Sequence, residues 1–118
     1  MDINGIIEEI RKHPNSEKIG MIASHLGIVR GNSRDGREVT RIQVSYDKNA
    51  LNNIVLDIKE LDGIVEVKVE ICEGLLEIGD VIMFVAIGGD IRENVFPALI
   101  QTVERIKKES SKKMEYFE

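Results

Sequence analysis

An α+β sandwich, a mostly antiparallel sheet with helices packed on it, is the fold class this chain predicts. Three observations predict it. Apolar residues recur at helical spacing in three separated stretches, near 3–13, 48–61 and 93–109. Runs rich in β-branched residues lie between them, at 19–30, 39–46, 64–71 and 81–87. The strand runs come in pairs, each pair separated by glycine-containing turns, which gives the order α-β-β-α-β-β-α. The 118 residues fit one domain spanning 1–118, long enough to bury a core without staples.

In the first helix Ile3, Ile6, Ile7 and Ile10 repeat at helical spacing among acids and bases, and Pro14 ends it. The first strand, 19–30, contains Gly20 and Gly27, which hint at a bulge or a close backbone approach. Asp35-Gly36 then signals a hairpin to the second strand, where Val39, Ile42, Val44 and Tyr46 alternate with polar residues. The alternation slips once at Arg41–Ile42, so a bulge is expected there. Asp47 caps the second helix, whose stripe is Leu51, Ile54, Val55 and Ile58, and Asp62-Gly63 ends it. Residues 64–71 alternate strictly, as a half-buried strand does.

Gly74 and Gly79-Asp80 bracket a short connection. The continuously apolar 81–87 suits a central strand covered on both faces, and a dimer could supply the second cover. In the last helix Pro97 is expected in the first turn, with Phe96, Leu99, Ile100, Val103 and Ile106 on the buried side. The tail 110–118 is expected to be weakly ordered.

Composition excludes several functions. Hydrophobic residues make up 42% and charged residues 31%, an ordinary globular mix. A net charge of −5 and few aromatic residues argue against nucleic-acid binding. The absence of a long apolar run argues against a membrane span. One cysteine, Cys72, allows neither an internal disulfide nor a thiolate cage, and a reducing cytoplasmic setting fits best. Two histidines and one cysteine make no convincing metal site. Cys72 reads as packing, and His13 as a helix C-terminal residue. His25 reads as a half-buried strand residue, with acid/base work as the alternative.

The basic residues are more suggestive. Arg30, Arg34, Arg37 and Arg41 bracket one turn in an acidic chain. Guanidinium groups bind phosphate through paired hydrogen bonds, so this cluster is either an anion site or a solvated loop. Arg92, just before a helix start, could join such a site. Lys107, Lys108, Lys112 and Lys113 form a second basic run, which also suits a helix C-terminus.

Three motifs in order resemble a known family. The run from Gly20 to Arg30 (GMIASHLGIVR) resembles a first core strand ending in Thr-Gly-x-Val-Arg. The run Gly74 to Asp80 (GLLEIGD) and its following strand resemble a Gly-x-x-x-x-Gly-Asp stretch. Arg92 to Ala98 (RENVFPA) resembles an Arg-x-x-x-Phe-x-Ala helix start. Over about residues 18–115 the chain is similar to the large, catalytic subunit of molybdopterin synthase.

That resemblance implies an α/β hammerhead fold and a homodimer, forming a heterotetramer with a small ubiquitin-like sulfur carrier. The carrier's C-terminal Gly-Gly thiocarboxylate would enter the active site. Two sulfurs would pass to cyclic pyranopterin monophosphate, giving the dithiolene of molybdopterin, with no cofactor or metal required. Arg30 and Arg92 match the family's anion-binding arginines, with Arg34 and Arg37 beside them. Lys107 matches the lysine near the carrier's C-terminus, and Lys113 (or Lys112) a second tail lysine, in catalytic roles.

The sequence departs from the pattern in four places. Ile91 stands where the family has a histidine before Arg92, and Gly88-Gly89-Asp90 is expected to put an acid beside the pocket. Ser110-Ser111-Lys112-Lys113 replaces a Pro-x-Trp-Lys tail, and His25 stands where a phenylalanine is usual. The alternatives are therefore a non-catalytic relative that binds the carrier or a phosphorylated pterin, or another anion-binding enzyme using His25.

Overall fold

A computed structural model describes all residues, 1–118. The elements in chain order are α1 (Ile3–Arg11), β1 (Met21–Ile28), β2 (Val39–Tyr46), α2 (Lys48–Lys59), β3 (Ile64–Ile71), β4 (Gly74–Glu77), β5 (Val81–Gly89), α3 (Arg92–Arg105) and β6 (Ser111–Phe117). A 3-10 turn at Ser16–Lys18 follows α1, and a π-helical turn, Ile106–Ser110, joins α3 to β6.

The strands form two antiparallel sheets rather than one. The first has the order β1-β5-β3 and the second β4-β2-β6. The expected hairpin between the first two strands is therefore corrected. The Asp35-Gly36 turn closes only one bridge, Asn32 with Glu38, and β1 and β2 then diverge into different sheets. Two further strands were not expected. β4 occupies the 74–79 connection and pairs with β2, and the tail forms β6, paired with β2 from Tyr46–Ser111 to Val39–Phe117. Isolated, these short polar runs carry little strand signal; β2 supplies the hydrogen-bonding edge that orders both. The slip in β2 is real: its register with β6 shifts between Val39 and Arg41, and Val39, Ile42 and Val44 face inward.

β5 is central and covered on both faces. Met83, Val85 and Ile87 pack with Ile54 and Ile58 of α2 and Val95 and Ala98 of α3. Phe84 and Ala86 point the other way, onto Ile10 of α1. The second cover is thus α1 of the same chain, so β5 needs no dimer to bury it. Gly88 permits this approach, since a Cβ there would lie 2.6 Å from Ile10 Cγ2.

α1 and α2 begin on aspartate caps. Asp2 accepts from the Gly5 N–H, and Asp47 accepts from those of Asn49 and Ala50. After α2 the chain turns at Gly63, whose φ of +78° favours glycine. In α3 the buried stripe is Val95, Ala98, Thr102 and, beyond its end, Ile106. Phe96 and Ile100, expected inside, are about half exposed. Small residues face β5 because the helix packs close, which turns the bulkier pair outward. Pro97 lies in the second turn of α3, not the first. It is tolerated because Glu93, whose carbonyl it leaves unpaired, is exposed.

The second sheet lies at one end of the first. Its core of Val39, Ile42 and Val44 packs on Val29, Ile71 and Ile82, which mark where β1 and β3 end and β5 begins. The molecule is accordingly long, 50 × 25 × 24 Å. Backbone bonds fix the seam: the Val29 N–H donates to the Asp80 carbonyl at 2.9 Å, and the Gly79 N–H donates to the Val29 carbonyl at 2.8 Å.

Glu66 is the half-buried charge on β3. Burial pushes its carboxyl up, but the Lys59 ammonium at 2.9 Å and the Val67 N–H at 2.8 Å outweigh this and hold it below the usual range. Its stabilising contribution is present above the ordinary value of 4.5 and is lost as pH falls through the lowered one. Glu66→Gln should therefore be less stable than wild type at neutral pH, with the deficit fading below pH 4.5 in urea titrations. In the same assay at pH 7, Phe84→Ala should lose about 3–5 kcal/mol by leaving a cavity against α1. Phe96→Ala should change stability by less than about 0.5 kcal/mol, as expected for a surface site. Equal losses at the two phenylalanines would contradict the assignment of faces.

Candidate functional site

The seam between the two sheets opens into a cleft of about 1050 Å³. Its floor is apolar, from Val29, Ile42, Val44, Ile71, Ile82 and Met83. Its walls are cationic. Arg30 and Arg34 come from the loop after β1, Lys107 from the π-helical turn, and Lys112 and Lys113 from β6. One carboxylate, Glu115, and one imidazole, His25, complete the charged and titratable lining. In a chain of net charge −5, this local excess of cations focuses a positive potential on one concave surface.

The register of β6 decides which tail lysine points inward. Lys113 is opposite Val44 and Glu115 opposite Ile42, so both share the inward face of β2. Lys112 pairs with Ser45, on the other face, and borders the cleft beside Ser111. The π-helical turn is pinned where β6 begins: Ser110 Oγ donates to the Asp47 carbonyl at 2.9 Å, and the Asp47 N–H donates to the Ser110 carbonyl at 3.0 Å. Arg105 ties the same turn to α2, through Asp57 at 2.8 Å and Glu109 at 2.7 Å. Ile106 stays in the core while its neighbour Lys107 is exposed to the cleft. A π-turn changes the side-chain phase at the end of a helix in this way.

Not every expected residue joins the cleft. Arg30, Arg34, Lys107 and Lys113 converge on it, whereas Arg37 and Arg92 do not. Arg37 stacks over the Phe117 ring at 3.7 Å, and Arg41 lies over Tyr116 at 5.4 Å, so these two clamp β2 to β6. Arg92 opens α3 whereas Lys107 follows its end, and the helix between them is about 20 Å long. Arg92 lies 3.8 Å from Glu93 and is largely exposed. Asp90 is likewise not beside the cleft. Its carboxylate accepts from Asn94 Nδ2 at 2.9 Å and the Ile91 N–H at 2.6 Å, which lowers its pKa.

His25 shares the inward side of β1 with Gly27, whose missing side chain leaves room for the ring: a Cβ at 27 would sit 3.4 Å from Nε2. Burial, then the positive charge of Lys107, lowers the pKa of His25 below 6.5. His13 is elsewhere: its Nδ1 accepts from the Asn15 N–H at 3.0 Å, and its Nε2 lies 3.8 Å from Glu66. Cys72 is a partly buried free thiol at the end of β3. Glu115 and Ser111 were missed as lining residues, because only pairing with β2 reveals which way a strand of the tail faces.

The architecture is an α+β fold of two antiparallel sheets with a cationic, apolar-floored cleft at their seam. The family follows from comparison. The model of the MoaE protein family matches residues 1–109, and the chain belongs to that family. A search of curated proteins finds no match.

Solved structures share the fold. Molybdopterin synthase from Staphylococcus aureus is 23% identical over 86% of this chain and 77% of its own, with a TM-score of 0.74. The molybdopterin biosynthesis MoaE protein from Burkholderia ambifaria is 22% identical, covers 100% and 81%, and gives 0.76. A complex of subunits 1 and 2 of molybdopterin-converting factor from Helicobacter pylori is 16% identical, covers 99% and 80%, and gives 0.73.

The electrostatics of the cleft are open to direct measurement. Following both histidines by NMR, the titration midpoint of His25 should lie below 6.5. Lys107→Met should raise it. An unchanged His25 midpoint in that variant would mean that Lys107 does not face the imidazole.

Proposed function

We propose that this chain acts in molybdenum cofactor biosynthesis as the large, sulfur-transferring subunit of a molybdopterin synthase. The observation that carries this reading is the cleft itself: five cations over an apolar floor, in a member of the MoaE family. A phosphorylated pterin matches that surface. Its phosphate would be held by Arg30 and Arg34 through charge-assisted bonds, and its ring system would lie against the partly exposed Ile71 and Ile82.

The volume, about 1050 Å³, lies at the upper end for small-molecule sites, which run to about 1,000 Å³. It has room for an extended Gly-Gly tail beside the pterin. The tail's thiocarboxylate would lie against Lys107, with Lys113 facing it from β6. Both ammonium groups would stabilise the negative charge that develops as sulfur is transferred.

The partners in this reading are a small ubiquitin-like sulfur carrier, cyclic pyranopterin monophosphate and a second copy of the chain, in a cytoplasmic heterotetramer. Two subunits also make up the Helicobacter pylori complex that shares this fold. No helix is long and apolar enough to cross a membrane. A second reading, a relative that binds carrier or pterin without turnover, is favoured by Ile91 and Asp90 at the start of α3, where the family pattern has a histidine.

Mixing the chain with thiocarboxylated carrier and cyclic pyranopterin monophosphate should yield the dithiolene product. Lys107→Ala should lower kcat about 100-fold, the scale of losing one charge-stabilising donor. Arg30→Ala should act mainly by raising KM, about tenfold, as for the loss of a charge-assisted contact. A stable carrier complex with no product from wild type would instead establish the binding-only reading.

A further inference from the structure

Five of the side chains lining the cleft are basic: Arg30 and Arg34 from the loop after β1, Lys107 from the π-helical turn, and Lys112 and Lys113 from β6. The one carboxylate is Glu115 of β6. The faces of β2, β3 and β5 that complete the lining are apolar, through Ile42, Val44, Ile71, Ile82 and Met83. Beside these cationic donors the cleft has two groups able to accept a proton, Glu115 on β6 and His25. His25 stands on β1 opposite Val85, at the end of the strand nearest the seam, and Gly27 leaves space for its ring. Burial and the charge of Lys107 are the influences on its ring, with no hydrogen bond among them.

We infer that His25 contacts the bound anionic ligand and acts as a proton acceptor in this cleft. The inference rests on the sulfur-transfer reading for its chemical step but on geometry for the contact. Burial and the facing Lys107 charge keep the imidazole neutral at physiological pH, the form that can accept a proton.

The step it serves is release of the carrier from an acyl–sulfur–pterin intermediate. Water oxygen bonds to the acyl carbon while one water proton passes to a ring nitrogen of His25. The acyl carbon–sulfur bond then breaks, with its electron pair remaining on sulfur. The imidazolium returns the proton to that thiolate, and the carrier leaves as a carboxylic acid that ionises in solvent. No oxidant or reductant enters. The imidazole is thus placed on β1 rather than at the start of α3, where Ile91 stands.

Two measurements test this. In the reconstituted reaction, kcat of wild type should fall on the acid side, as protonation removes the base. His25→Gln and His25→Phe should both lose that acid limb and about 100-fold in kcat, the scale of general-base catalysis, with KM changed less than about threefold. Retention of the limb, or of kcat within about threefold, overturns the catalytic role.

The second measurement needs no turnover: the NMR titration of wild type with inorganic phosphate. Saturating phosphate should raise the His25 midpoint. If wild type binds carrier but makes no product, the sulfur-transfer reading fails and the phosphate titration alone decides the contact. A His25 midpoint unmoved by phosphate overturns the inference.

Discussion

The antiparallel ladder between β2 and β6 holds the C-terminal strand along the cleft, from Tyr46 opposite Ser111 to Val39 opposite Phe117. The basic side chains of β6, Lys112 and Lys113, depend on it. Without β2 the run 111–117 has no edge to pair with, and Lys113 has no fixed direction. With it, Lys113 faces inward beside Val44, across a space whose other walls belong to the first sheet and the loop after β1. The stacks of Arg37 on Phe117 and Arg41 on Tyr116 secure the far end of the ladder, and the paired bonds between Asp47 and Ser110 secure the near end.

The cleft exists because the sheets meet at an end rather than face to face. A face-to-face sandwich would interleave Ile42, Val44, Ile71 and Ile82 into a closed core. Here the seam is held by backbone bonds among Val29, Gly79 and Asp80, and by the Cys72 N–H donating to the Ile82 carbonyl at 2.8 Å. The rim of the cleft remains open above that buried floor, and its cations come from three separate segments. Most of the stability lies elsewhere, in the two covered faces of β5 and the helices against them. That separation lets the site tolerate a concentration of like charge, since the repulsion falls on a region open to water and counter-ions.

Much of this was legible in the sequence, for identifiable reasons. The cap at Asp47, the turn at Gly63, the alternation of 64–71, the bulge in 39–46 and the two-faced burial of 81–87 are local patterns with one physical solution each. Arg30, Arg34, Lys107 and Lys113 were named from the sequence, and the fold brings them to one cleft. What could not be read was long-range. Whether Asp35-Gly36 joins two strands of one sheet depends on pairings beyond the turn: β1 pairs with β5, and β2 with β4 and β6. β4 and β6 are strands only because β2 lies between them. Arg92 and Lys107 looked like neighbours in function, yet a helix holds them apart within the chain. Phe96 and Ile100 looked like core because bulk was weighed above the fit of Val95, Ala98 and Thr102 to a closely packed sheet.

The central claim is that a loop of the first sheet and the last strand of the second act on a single anion. A double-mutant cycle on inorganic phosphate binding tests it most directly, using Arg30→Ala, Lys113→Ala and the double variant, at one fixed salt concentration. Groups that share a ligand are coupled by about 0.5 kcal/mol or more, whereas independent sites add. The two-walled cleft predicts coupling of at least that size, with the double variant losing less than the sum of the single losses. Strict additivity, or no loss in either single variant, would contradict it.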